Sequence, residues 1–163
     1  MYAAGDVVGK SLYAHAASRM GEIAVDVMLG RRDAVMEYHA VPWAVYTYPE
    51  AAGCGITEEE AKDSGCEYVT ASLPMRYSAR YYSEFQNQGG VVKLIVNAET
   101  RQIIGIHAAG AGCSEMIWGA AVLVQHRMGV DQLCSTIFPH PTVSEVIREA
   151  AFAAADALKR GGA

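Results

Sequence analysis

Apolar side chains recur at helical spacing from residue 11 to 29. Ala14, Ala17, Ile23, Val27 and Met28 supply much of one side, Ser11 is the candidate cap and Gly30 the stop, which predicts a helix over 11–29. Ahead of it, Tyr2, Ala3 and Ala4 read as a strand stub running into a Gly5-Asp6 turn, so the opening has the character of the tail of something larger. Residues 41–48 mix Val, Trp, Tyr and Thr and predict a strand closed by Pro49. Thr57 and Glu60 form a capping box for a short helix that Gly65 ends. A second strand is expected over 66–73, and after a Tyr- and Arg-rich loop residues 91–96 and 102–108 pair as a hairpin. Ser114 is the expected cap of a helix stopped by Gly129, residues 131–135 read as a helical turn, and the last helix starts near Thr142 and runs to a Gly-Gly end. The strands cluster instead of alternating with helices, which predicts an α+β fold, an antiparallel sheet flanked by helices.

The 163 residues suffice for one domain with a real core, and a hydrophobic content of 52% leaves apolar surface over for an interface. With 13 basic and 18 acidic residues, a net charge of -5 and no run of Lys and Arg, nucleic acid is not an expected partner. The apolar runs fall well short of the roughly 18 residues that cross a bilayer, so no membrane is expected either. The first residues lack a secretory pattern, and the four cysteines, Cys54, Cys66, Cys113 and Cys134, are too widely spaced for CxxC or zinc-ribbon chemistry. The expected setting is cytoplasmic, with reduced thiols. His15, His39, His107 and His126 show no i, i+4 pairing, and no metal site is expected.

The stretch FPHPTVSE, residues 138–145, holds His140 between Pro139 and Pro141. Two prolines stiffen the backbone on either side, so the imidazole is displayed from a defined position just before a helix. Thr142 and Glu145 have T-x-x-E spacing, which makes Glu145 a helix cap. The same carboxylate lies five residues from His140 and can orient the ring and fix its tautomer. Cap and orienting carboxylate both stay open at this point. A hydrolase built on the pair lacks a nucleophile beside it.

Four stretches in order, YAAGDVVG, VYTYPEAAGCGITEEEA, GGVVKLIVNAETRQIIGIHAAGAGCSEMI and FPHPTVSEVIREA, resemble the C-terminal part of the flavin-dependent pyridine nucleotide-disulfide oxidoreductases, most like the dihydrolipoamide dehydrogenase branch. The resemblance implies a remnant of an FAD-binding domain over residues 1–35, one helix included, followed by a two-layer dimerisation (interface) domain over 36–163. It further implies a homodimer in which His140 reaches the partner's active site as general acid and base for a dithiol or disulfide substrate, with Glu145 orienting it. Gly5 and Asp6 match the family's second flavin fingerprint, and Tyr13 and Ala14 match the start of a helix aimed at the flavin ring. FAD and NAD(P) are the cofactors implied for the parent enzyme. The cysteine pair and the Gly-rich adenine loop that the reaction needs are not in this sequence, so the chain alone is expected to be inactive and to bind neither cofactor. Helix 11–29, without the flavin domain, is expected to be re-docked, swapped or poorly ordered.

Other features keep structural readings. Thr47, Pro49 and Glu50 set a strand end and turn, and GAGCSE, residues 110–115, lacks the last glycine of a dinucleotide loop. Pro139 and Tyr48, and the loop over 78–88, depart from the family pattern and leave the substrate open. Tyr77, Tyr81 and Tyr82 read equally as a dimer-face patch or a packed loop. A stand-alone dimerisation module, or the equivalent domain of a glutathione reductase-like enzyme, is the alternative.

Overall fold

The computed structural model describes residues 1–31, 35–86 and 88–161, and the chain divides into two compact units, Met1–Val41 and Pro42–Ala163. In the first unit the expected strand stub is absent. Residues 1–4 form no regular element, and Gly5, at φ 81°, leads into a single 3-10 turn, Asp6–Val8. Helix α1, Ala14–Met28, begins later than its apolar pattern suggested, because residues 11–13 stay non-helical and Tyr13, not Ser11, is the extended residue at its N-cap. Ala16 and Met20 are its buried residues, while Val25, Met28 and Leu29 remain exposed.

The second unit is a five-stranded antiparallel sheet of order β1-β2-β5-β4-β3, with β1 Trp43–Val45, β2 Ala51–Gly55, β3 Tyr68–Pro74, β4 Val91–Asn97 and β5 Ile103–Ala109. The α+β reading holds. The strand expected over 41–48 shortens to β1, and the chain turns through a cis Tyr48–Pro49 peptide into β2, for which no strand was expected. Ala-Ala-Gly-Cys-Gly has little β-propensity of its own. Small residues are demanded there by the neighbours: a Cβ on Gly53 would lie 2.4 Å from His107 Nδ1 and 2.7 Å from the Trp43 ring. The β4–β5 hairpin forms as expected, its turn closed by the Thr100 N–H donating to Asn97 Oδ1 at 2.7 Å, with Arg101 at φ 60°.

Helix α2, Glu58–Asp63, carries the expected box: the Glu60 N–H donates to Thr57 Oγ1 at 3.1 Å and the Thr57 N–H to Glu60 Oε2 at 2.7 Å. Helix α3, Ala79–Glu84, replaces the expected loop, with Ser78 as its cap. Helix α4, Cys113–Gln125, packs on β1, β2 and β5; α5, Val130–Ser135, packs on α6, Glu145–Gly161, which lies over β3 and β4. The α6 stripe of Val146, Ile147, Ala150, Ala151, Ala154 and Ala155 is buried at helical spacing, and its run of alanines allows close approach to the sheet. Gly162 of the expected Gly-Gly end lies outside the described residues. Leu94, Ile95 and Val96 of β4 and Ile103 and Ile106 of β5 form the centre of the core.

Two further helix starts and one end differ from expectation. Ser114 does not cap α4: Gly112, in the left-handed region at φ 78°, occupies the N-cap, and the Ser114 N–H donates to Glu50 Oε2 at 2.9 Å. The last helix starts at Glu145, after Val143 and Ser144 have turned the chain. Helix α4 ends before Gly129 because Met128 is drawn to the sheet, where its carbonyl accepts from the Ile103 N–H at 2.9 Å and Gly129 pairs with Gln102. Among the described residues no helix is long and apolar enough to cross a membrane.

Candidate functional site

The segment between α5 and α6 holds His140. Its peptide to Pro141 is cis, and the loop is held by bonds of its own: Thr142 Oγ1–H donates to the Pro139 carbonyl at 2.9 Å, and the Thr142 N–H donates to Glu145 Oε2 at 2.8 Å. The second carboxylate oxygen, Oε1, lies 2.9 Å from His140 Nδ1. Glu145 thus does both jobs that its spacing allowed. Only the carboxylate half of the expected capping box forms: the Thr142 hydroxyl donates to the Pro139 carbonyl, and the Glu145 N–H goes to the Thr142 carbonyl at 3.4 Å instead.

The Thr142 N–H and then the His140 hydrogen bond hold the Glu145 carboxyl below its ordinary range. An ionised carboxylate can only accept, so Nδ1 carries the proton and the neutral ring is left with Nε2 as its basic nitrogen. Among the described residues nothing hydrogen-bonds Nε2. The His140 side chain is 70% exposed and that of Glu145 only 21%, so the orienting group is sheltered while the imidazole stays accessible. Such an arrangement can give and take a proton at one fixed atom.

The second group of expected residues lies in the first unit. Gly5 packs close to the first turn of α1, where a Cβ on it would meet Ala17 Cβ at 3.5 Å, and its N–H donates to Met20 Sδ at 3.3 Å. Asp6, Tyr13 and Ala14 are exposed, and the N-cap residue Tyr13 makes no side-chain cap bond to α1. The Ser11 hydroxyl oxygen is buried without a hydrogen-bond partner.

The remaining candidates have structural places. His107 Nε2 lies 2.9 Å from the Ile56 carbonyl and its ring packs against Trp43. Tyr81 is buried and donates to the Gly89 carbonyl, whereas Tyr77 and Tyr82 are exposed. All four cysteines are free, and burial pushes the Cys54 thiol up to about 11 and Cys113 up to about 12, far from thiolate reactivity. No three His, Cys, Asp or Glu side chains among the described residues are grouped to hold a metal ion. Ser78 went unnoticed in the sequence; its only local signal is the cap position before α3.

The five-stranded antiparallel sheet flanked by helices agrees with the comparison to known proteins. Residues 41–151 match the family described as pyridine nucleotide-disulphide oxidoreductase, dimerisation domain. The chain belongs to this family. The dimerisation domain and the residues before it are 36% identical over 156 residues to the mitochondrial dihydrolipoyl dehydrogenase of Pisum sativum, covering 96% of this chain and 31% of that protein. Dihydrolipoyl dehydrogenase 3 of Haloarcula marismortui is 37% identical over 151 residues, 93% of this chain and 31% of its own. The crystal structure of LpdA from Mycobacterium tuberculosis superposes with a TM-score of 0.87 at 32% identity, over 93% of this chain and 33% of that one. The chain therefore spans about a third of the length of the relatives it matches.

Proposed function

We propose that this chain is the dimerisation part of a cytoplasmic, homodimeric flavoprotein of the dihydrolipoyl dehydrogenase type, and that His140, oriented by Glu145, serves as general acid and base in the partner subunit's active site. The observation that carries the reading is the pairing itself: a sheltered carboxylate on Nδ1 and an exposed ring with Nε2 open. The substrate class is a dithiol or disulfide, whose thiol must lose a proton to become the attacking thiolate. Nε2 takes that proton when the dithiol is oxidised and returns it in the reverse direction. Correct placement of such a group contributes roughly 10²- to 10⁴-fold.

Residues 1–35 are read as the end of an FAD domain and 36–163 as the dimerisation domain. Gly5, Asp6, Tyr13 and Ala14 would help hold FAD, which would supply two-electron redox chemistry between the dithiol and NAD(P). The first unit fits such a ligand in three respects. The start of α1 offers the positive end of the helix dipole to an electron-rich group, the Asp6 carboxylate is an exposed acceptor for hydroxyls, and Ser11 Oγ is a buried polar atom without a partner.

The test uses the flavoprotein that carries this chain. His140→Gln is expected to lower dithiol turnover by roughly 10²- to 10⁴-fold while flavin content is retained. Mixed dimers, pairing His140→Gln subunits with subunits that lack the redox cysteines, are expected to regain turnover that neither homodimer has. Full turnover by the His140→Gln homodimer would sink the catalytic reading, and mixed dimers as inactive as their parents would sink its action across the interface.

A further inference from the structure

Ser78 is the only polar side chain among the described residues that is fully buried. It makes two hydrogen bonds with different partners. As an acceptor, Oγ takes the Tyr81 N–H at 3.1 Å, the ordinary cap of α3; as a donor, the hydroxyl reaches the Thr142 carbonyl at 2.8 Å, across 64 positions of sequence. The cap explains only the first. Aspartate would cap a helix as well, but an ionised carboxylate has no hydrogen to give to a carbonyl.

Thr142 is the residue on which the His140 loop is hung. Its N–H holds Glu145 Oε2, its hydroxyl holds the Pro139 carbonyl, and its own carbonyl is held by Ser78. The first two bonds lie within residues 139–145. The third ties the loop to α3, which is anchored in turn by the buried Tyr81. We propose that Ser78 is a positioning residue for the His140–Glu145 pair, acting through the Thr142 carbonyl to fix where the imidazole stands. The inference rests on the reading of His140 as the proton-transfer group, where a displacement of ~1 Å can cost about 10²-fold in rate.

The test reads geometry and needs no turnover. In the full 163-residue chain with nitrogen-labelled histidine, long-range nitrogen–proton spectra at alkaline pH give the ratio of the Nδ1–H to the Nε2–H form of His140. Nδ1–H is expected to dominate in the wild-type chain. Ser78→Gly keeps a residue that serves well at an N-cap but removes the hydroxyl donor, and is expected to lower the ratio about fivefold, the worth of roughly one net hydrogen bond. Ser78→Thr, which retains the hydroxyl, is expected to restore it. A Ser78→Gly chain that melts lower with an unchanged ratio would overturn the proposal and leave Ser78 a cap alone. Should that variant not fold, amide exchange in the wild-type chain decides. Protection of the Thr142 N–H equal to that of the Tyr81 N–H supports the link, and a Thr142 N–H that exchanges freely while Tyr81 stays protected refutes it. Failure of the catalytic reading would appear in the turnover of His140→Gln and leave this ratio as it is.

Discussion

Gly53→Ala adds one methyl group where the sheet has no room for it. The new Cβ would stand 2.4 Å from His107 Nδ1 and 2.7 and 2.8 Å from two carbons of the Trp43 ring, well inside van der Waals contact. His107 cannot simply turn away, because its Nε2 is bonded to the Ile56 carbonyl at 2.9 Å and its ring lies 6.2 Å from that of Trp43. Overpacking of this kind costs about 1–3 kcal/mol. Breaking the Ile56 bond adds about 1 kcal/mol. Against this, alanine restricts the unfolded chain more than glycine, which returns about 0.4–1 kcal/mol. The balance is a loss of about 1–3.5 kcal/mol.

For a chain of this size each kcal/mol shifts Tm by about 2–4 °C, so a drop on the order of 2–14 °C is expected. Urea unfolding followed by circular dichroism should show a lower midpoint with an unchanged slope, since the surface exposed on unfolding is the same. The double variant Gly53→Ala/His107→Ala removes the obstructing ring, and the two changes should couple by about 1–2 kcal/mol in its favour. A Gly53→Ala chain within about 0.5 kcal/mol of the wild type, or a double variant that is merely additive, would refute the claim that His107 and Trp43 demand a small residue in β2.

Glu50 supplies the cap that α4 lacks from its own sequence, so Glu50→Gln, which keeps an acceptor for the Ser114 N–H but removes the charge at the helix start, is expected to cost about 0.3–1 kcal/mol. Glu50→Ala also leaves that N–H without its partner and should cost about 1–2 kcal/mol more; chemical denaturation of the three chains gives the order, and equal midpoints would remove Glu50 from the α4 cap. The depressed pKa of Glu145 predicts a pH dependence. Its bonds to Thr142 and His140 are fully present above the ordinary carboxyl value of 4.5 and are lost as pH falls through the lower, folded-state value. The Thr142 amide resonance should therefore titrate below pH 4.5, and the transition should vanish in Glu145→Gln; an inflection above 4.5 would contradict the hydrogen bonding described.

Features whose determinants lie within a few residues were legible in the sequence. Thr57 and Glu60 cap α2 because both partners of each bond are three positions apart, and Asn97 closes the β4–β5 turn in the same local way. The His140–Glu145 pair was visible for that reason too, as a carboxylate five residues from a ring between two prolines. What stayed hidden depends on distant partners. Ala51 to Gly55 form a strand because β1 and β5 lie on either side, and their small side chains answer to Trp43 and His107, not to β-propensity. The expected cap Ser114 gave way to Gly112 because Glu50, 64 positions away, meets the helix start. Ser11 failed as a cap because the helix begins two residues further on, and Ser78, which looked like part of a loop, is defined by a carbonyl 64 positions ahead.

The way the His140 pair is built bears on what a second subunit would contribute. The hydrogen bonds around the ring's loop, from Glu145, Thr142, Pro139 and Ser78, are made by residues of this chain. This chain thus carries its own means of orienting the imidazole. Under the proposed function, association supplies the reacting thiol at a distance from Nε2, while the basicity and direction of that nitrogen are already fixed. A group prepared in this way loses little further freedom when the partner arrives, which leaves more of the association energy for bringing donor and acceptor into register. The same logic explains why the supporting bonds run inward to a buried serine and a sheltered carboxylate: supports taken from the partner would tie the protonation state of the base to the dimerisation equilibrium, and supports taken from water would leave the tautomer unselected.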